Sequence, residues 1–420
     1  MPTRSCLLWM LLMVQGTPAG ELRAGAARVD ITPPTGHPMW GYAARRDAPS
    51  KGVRDRLQAR ALVLEVGKTR LALVALDLGR PPTRASTEVI HHRLRKQANV
   101  EGLFLVASHT HHGPILEIDT WPTPETSYVR ELERKLGDVV LEAVRGLKPA
   151  RLGLADRETT LNRNRHSKRK DPPVDRLLSV LRVEDEAGKP IAHAIHFAAH
   201  PTMLPVGLMQ FSADYVGVCC AAVEKETGAP CLFLQGAAGD LSPNPTKGRG
   251  PEAFGAALAA VVLDVAKQIR CEQPRSEAIR FHKEELRFQP RVDLKNPLWR
   301  IGLGTAFYPA FISFYEREYR DGVRPSLAIA LLPEDQVAFL GVSGEVFCDH
   351  AMQLRRRARL EHLLFLGYCN DYHQYFPTIE AVTEGGYGTE VYIGTAEVGA
   401  GEQMMNQALK ALYRLRGKLK

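Results

Sequence analysis

Apolar residues along this chain follow two alternating rhythms. Short apolar runs at 60–66, 71–78, 103–107, 179–183, 191–198 and 231–234 have the length of strands. Between them, 86–97, 125–147, 213–227 and 251–268 repeat apolar positions near every 3.6 residues, as helices do. Those helices are long enough to be crossovers, so the pattern predicts an α/β fold, a mixed-sheet sandwich. Thr123 is placed to cap the second helix, with Pro124 at its first helical position and Glu125 in the first turn, and Ser212 is placed to cap the third. Strands at 327–332, 337–342 and 363–367 and helices at 347–359 and 401–415 complete the predicted elements.

One stretch breaks the rhythm. Trp299, Phe307, Tyr308, Phe311, Phe314, Tyr315 and Tyr319 crowd into the otherwise irregular 289–326 segment. An aromatic stripe of this kind reads first as core, with a lipid-facing element as the alternative.

With 420 residues, 45% hydrophobic and 24% charged, the chain has the composition of a globular protein that buries a sizeable core. Residues 1–20 carry Arg4, an apolar run from Cys6 to Val14 and the small residues Thr17, Pro18, Ala19 and Gly20, the pattern of a signal peptide. The run is shorter than the ~20 residues that cross a bilayer, so an exported protein, periplasmic or secreted, with one domain at 21–420 is expected. The formal charge of +8 is scattered, and the basic runs at 166–170, 355–359 and 414–420 lack interleaved aromatics, so no nucleic-acid partner is expected. Of the seven cysteines, six lie beyond the leader, with no CxxC pair and no spacing that specifies disulfides.

Candidate chemistry collects just past the strands. Ser108-His109-Thr110-His111-His112-Gly113-Pro114 follows the 103–107 strand, and His109 and His111 share a face of an extended segment. Neutral imidazole is the commonest protein ligand for zinc, and strand ends are where α/β sites are built. The 191–198 strand runs into His200-Pro201, and the 231–234 strand into the small-residue loop 235–244, which holds Ser242 without a Gly-x-Ser-x-Gly frame. The 337–342 strand runs into Ser343-Gly344-Glu345, and the 363–367 strand into 370–375, which ends in Tyr375, with Tyr387 beyond. Five strand ends delivering polar groups to one sheet edge is the arrangement an active site needs.

These loops, together with Gly25-Ala-Ala-Arg-Val-Asp-Ile-Thr-Pro-Pro34 and Gly41-Tyr42, resemble the catalytic N-terminal domain of the neutral, non-lysosomal ceramidases. The resemblance implies a Zn2+-dependent amidohydrolase that cleaves ceramide, or a similar N-acyl lipid, into a sphingoid base and fatty acid. It implies metal ligation by His109, His200, Glu345 and Tyr375, and catalytic roles for His111, Arg163, Ser242 and Tyr387. A lipid substrate also implies contact with a membrane surface. The alternatives are a zinc hydrolase of the same scaffold acting on another amide or ester, and a non-catalytic lipid-binding protein. Three departures from the resemblance bear on substrate: His112 stands where the family usually has Ser, Ser343-Gly344-Glu345 stands where it has Pro-Gly-Glu, and, with the last predicted helix ending near Leu415, the family's C-terminal immunoglobulin-like domain is not expected.

Overall fold

A strand that is apolar on both faces has to be covered on both, and Gln58–Val66 shows how this chain does it. Ala59, Ala61 and Val63 face the helices Arg84–Ala98 and Tyr128–Arg145, while Leu62, Leu64 and Val66 face a second sheet. The computed structural model describes residues 21–420, apart from 47, 275–277, 294, 299–300, 302–308 and 336. The expected signal peptide therefore lies outside the described residues.

The first sheet has eight strands in the order Cys231–Gln235, Pro190–Phe197, Leu177–Asp185, Lys148–Glu158, Leu22–Asp30, Gln58–Val66, Thr69–Leu76 and Gly102–Ala107. Its two outermost pairs are parallel and the rest antiparallel. The second sheet orders Arg280–Glu285, Ser326–Leu331, Val337–Val342 and His362–Leu366, the last pair parallel. Phe104, Val106, Leu232 and Leu234 of the first sheet interleave with Phe339, Leu364 and Leu366 of the second. Helices Cys348–Ala358 and Ala400–Leu415 cover the other face of the small sheet. Helices Asp214–Thr227 and Gly250–Gln268 cover the rest of the large one. The result is four layers, helix, sheet, sheet and helix, the mixed α/β sandwich the periodicity predicts.

Three strands have no apolar signal. Leu22–Asp30 and Lys148–Glu158 hold the middle of the large sheet, yet they are written in Ala, Gly, Arg and Lys. Gly25 shows why: a Cβ there would stand 2.1 Å from Ala143 O, so the helix packs on bare backbone. Arg280–Glu285 is an edge strand and keeps polar residues. The second helix starts at Tyr128 rather than near Glu125, because Ser127 Oγ accepts from Arg130 N at 3.3 Å. Thr123 instead closes its own turn, its Oγ1 accepting from Thr126 N at 3.3 Å. The third helix is preceded by Ala213 without a side-chain cap, and Ser212 Oγ accepts from Asp214 N at 3.0 Å.

Of the aromatic stretch, Tyr319 is core and Phe314 lies against the Arg80 guanidinium, 5.4 Å from ring centroid to Cζ. Trp299, Phe307, Tyr308 and the Phe311 side chain fall outside the described residues. No described helix is long and apolar enough to cross a membrane. Cys219, Cys220, Cys231, Cys271, Cys348 and Cys369 are unbridged.

Asp214 opens the third helix with its carboxylate turned inward, accepting from the backbone N–H of Met203, Leu204 and Tyr215 at 2.9, 3.1 and 2.6 Å. Burial outweighs these donors and pushes its pKa up to about 6. The folded state therefore holds a proton that the unfolded chain releases near pH 4. From this group alone, stability should fall by about 1.4 kcal/mol per pH unit from pH ~4 to ~6 and then level off. A carboxyl-carbon NMR titration of Asp214 should show a midpoint near 6, and an ordinary midpoint near 4 would refute the assignment.

Candidate active site

The four longest approaches to the site are strand ends, two from each sheet. Gly102–Ala107 leads to His109 and Pro190–Phe197 to His200, while Val337–Val342 leads to Glu345 and His362–Leu366 to the loop ending at Tyr375. Glu345–Val346 and Tyr375–Phe376 then pair as a short parallel ladder that sets Glu345 opposite Tyr375. His109 adopts φ 68°, a left-handed turn that costs a non-glycine residue of order 1–3 kcal/mol, and so turns off its strand at once.

Hydrogen bonds fix the tautomers. His109 Nδ1 lies 2.7 Å from Gly79 O and His200 Nδ1 2.6 Å from Ala238 O, so both Nδ1 atoms must carry the proton. Both Nε2 atoms then present lone pairs, and both point at the same carboxylate oxygen. Glu345 Oε2 is 3.2 Å from His109 Nε2 and 3.0 Å from His200 Nε2. Three buried acceptors facing one another repel unless a cation stands among them. The arrangement suits a metal ion, with the Nδ1–H donated to backbone carbonyls in the manner of metal-bound histidines. His111 adds a third imidazole whose nitrogens are both without hydrogen-bond partners, within 4.8 Å of the other two.

The electrostatics follow from burial. Burial, then the Arg165 guanidinium, pushes His200 down to about 3. Burial keeps His111 neutral at physiological pH. Tyr372 Oη donates to Glu345 Oε1, and Tyr368 Oη reaches Oε2 at 3.4 Å, so the carboxylate is gripped on both oxygens.

His109, His111, Glu345, Tyr372 and Tyr375 line a cleft of about 710 Å³, counting its open mouth, within the size range of small-molecule sites. Met39, Trp40, Tyr42, Ile115, Tyr315 and Ile393 form much of its apolar wall, and Tyr387, 59% exposed, stands at the mouth.

Of the candidate residues in the sequence, His109, His111, His200, Glu345, Tyr375 and Tyr387 come together here. Arg163 and Ser242 do not. They pair with each other across the small Asn162–Asn164 and Leu241–Pro243 ladder, neither lines the cleft, and the Arg163 side chain is exposed. Arg165, two residues on, is the arginine at the site, its Nη2 donating to His200 Nε2 at 2.9 Å, Gly239 O at 3.0 Å and Tyr375 Oη at 3.1 Å. Position in the ladder decides between them, because Arg165 follows the last paired residue and can turn inward. Arg165→Ala should accordingly cost about 10² in kcat/KM, while Arg163→Ala and Ser242→Ala stay within about threefold of wild type. A loss on Ser242→Ala as large as that on Arg165→Ala would reverse this placement.

Trp40, Tyr42, Tyr368 and Tyr372 also belong to the site. The sequence marks Gly41-Tyr42 and the 370–375 segment but carries no signal that gives these four side chains a role. A second acid and histidine group, Glu318, Asp371 and His373, already has its cation. The Arg84 guanidinium lies 3.5 Å from Glu318, 3.6 Å from Asp371 and 3.4 Å from His373.

Residues 22–259 match the family described as neutral/alkaline non-lysosomal ceramidase, N-terminal. The chain belongs to this family. It is 28% identical over 267 residues to the neutral ceramidase of Pseudomonas aeruginosa, a match covering 57% of this chain and 40% of that protein. In solved structures the same fold appears in the neutral ceramidase of Pseudomonas aeruginosa, with a TM-score of 0.79 at 22% identity over 95% of this chain and 75% of that one. A ceramidase complexed with C2 gives 0.76 at 21%, over 95% and 76%.

Proposed function

We propose that this chain is a zinc-dependent amidohydrolase that cleaves the N-acyl bond of a lipid, with ceramide as the leading substrate. The observation that carries the reading is the convergence of His109 Nε2, His200 Nε2 and Glu345 Oε2, three buried acceptors around one point, with Tyr375 opposite Glu345. His109, His200, Glu345 and Tyr375 would hold the ion. Zinc bound there supplies Lewis acidity and brings the pKa of water toward ~7.

The remaining steps belong to the protein. His111, neutral and with both ring nitrogens unpartnered in the cleft wall, can take a proton from attacking water and return it to the leaving amine. Arg165, permanently charged, can face the oxygen on which negative charge develops, and Tyr387 can donate at the mouth. The apolar wall of Trp40, Met39 and Ile115 suits an acyl chain, and the exposed Tyr387 and Arg46 at the rim suit approach from a membrane surface.

The match spans 40% of the Pseudomonas aeruginosa protein's length, so the substrate is tested directly. Purified protein should release fatty acid from a fluorescent ceramide, lose this activity on chelation and regain it with zinc. No release from zinc-loaded protein, with turnover of another N-acyl amide or of an ester, would move the substrate while keeping the centre.

The composition of residues 1–20 supports export, to the periplasm or the medium. N-terminal sequencing of protein expressed with its native leader should begin near Glu21. A mature protein still starting at Met1 or Pro2 would refute it.

A further inference from the structure

His111 is held from behind by a segment without helix or strand period, Met39 to Arg45. Trp40 N donates to Gly113 O at 2.8 Å, and Gly41, at φ 110°, lies so close that a Cβ would stand 2.6 Å from His111 Cα. The Tyr42 ring meets the His111 ring edge-on at 4.7 Å and carries the Arg45 guanidinium on its face at 4.7 Å. Arg45 is buried, 5% exposed, and directs its donors at the loop and its surroundings. Nε reaches Val206 O at 2.9 Å, Nη1 reaches Trp40 O at 3.3 Å and also His111 O, and Nη2 reaches His112 Nε2 at 2.7 Å and Leu208 O at 3.4 Å. A guanidinium only donates, so His112 Nε2 is the acceptor. Arg45 therefore grips the carbonyl of His111 and the ring of the next residue at once.

We infer that Arg45 and His112 act as a positioning pair that sets the His111 imidazole in the cleft. Neither side chain lines the cleft, so neither touches substrate; both act through His111. The fork geometry is what a lysine lacks, since one ammonium cannot span the His111 carbonyl, the His112 ring and the Val206 carbonyl together. A serine at position 112 would have no atom that extends as far as Nε2.

The inference rests on the hydrolase reading for its kinetic arm alone. The test compares His112→Leu, which removes the acceptor, with His112→Gln, whose Oε1 restores one. Expected for H112L is a fall of about tenfold to a hundredfold in kcat, KM within about twofold of wild type, zinc content retained, and a His111 ring displaced by about 1 Å in the variant's crystal structure. H112Q should keep kcat within about threefold and leave the ring in place. A packing role would make both variants fall together, and that result overturns the inference, as does an unmoved ring in H112L. If wild-type protein turns over no amide or ester, the hydrolase reading fails, and the ring position in H112L still decides this one. Should H112L not fold, Arg45→Gln takes its place, with a displaced ring supporting the pair and an unmoved ring overturning it.

Discussion

His109→Ala is expected to abolish metal binding and to lower turnover about a thousandfold or more, the largest effect of any single change in this protein. His109 Nε2 is one of the three acceptors that converge on a single point. Without it, His200 Nε2 and Glu345 Oε2 remain, and the Arg165 guanidinium at 2.9 Å from His200 Nε2 is already placed to compensate them. The charge imbalance that attracts a metal is then largely gone. The ring also contributes structure, stacked on Tyr368 with centroids 4.2 Å apart, so the fold is checked alongside by circular dichroism. Metal content measured by plasma mass spectrometry should drop from about one equivalent to about a tenth or less. An alanine variant that keeps both its zinc and its turnover would remove His109 from the ligand set.

The second large effect is on stability. Arg80 is fully buried between Glu117 at 3.0 Å and Asp371 at 3.1 Å, both also buried. Arg80→Met keeps the apolar stem and removes the charge, leaving Glu117 in the interior without its partner and Asp371 with Arg84 alone, at 3.6 Å. Breaking such a group costs about 3–5 kcal/mol, read as a lower denaturant midpoint with an unchanged slope. The triple variant Arg80→Met, Glu117→Gln, Asp371→Asn removes all three charges and should recover most of the loss. Activity should fall with the single variant as well. Asp371 accepts from Tyr372 N at 2.8 Å, Arg80 lies 5.4 Å from the Tyr372 ring centroid, and Tyr372 donates to Glu345, so the triad underlies one hand of the grip on that carboxylate. An R80M protein as stable as wild type would show that the triad carries no structural weight.

Much of this protein is legible in its amino-acid sequence. The strands at 60–66, 71–78 and 103–107 stand out because both faces are buried, which writes an unbroken apolar run. The loops that carry His109, His200, Glu345 and Tyr375 can be picked out because each follows such a run, whereas the choice of these four as ligands comes from the resemblance to the family. The central strands Leu22–Asp30 and Lys148–Glu158 are not legible, since their faces are filled by close backbone packing and long charged stems rather than by large apolar side chains.

The choice of Arg165 over Arg163 turns on where the ladder with Leu241–Pro243 stops, a pairing between residues some eighty positions apart. Trp40, Tyr42 and Arg45 come from a segment without period, and only its docking against the His109–Gly113 loop makes them part of the site. The sequence by itself thus determined the layers, their main strands and the residue types offered at the strand ends, because burial of apolar surface is encoded locally, residue by residue. Which side chains meet, which tautomers they take and what holds them there were decided by the tertiary structure alone, because hydrogen bonds and charge pairs act over a few ångströms between residues the chain keeps far apart.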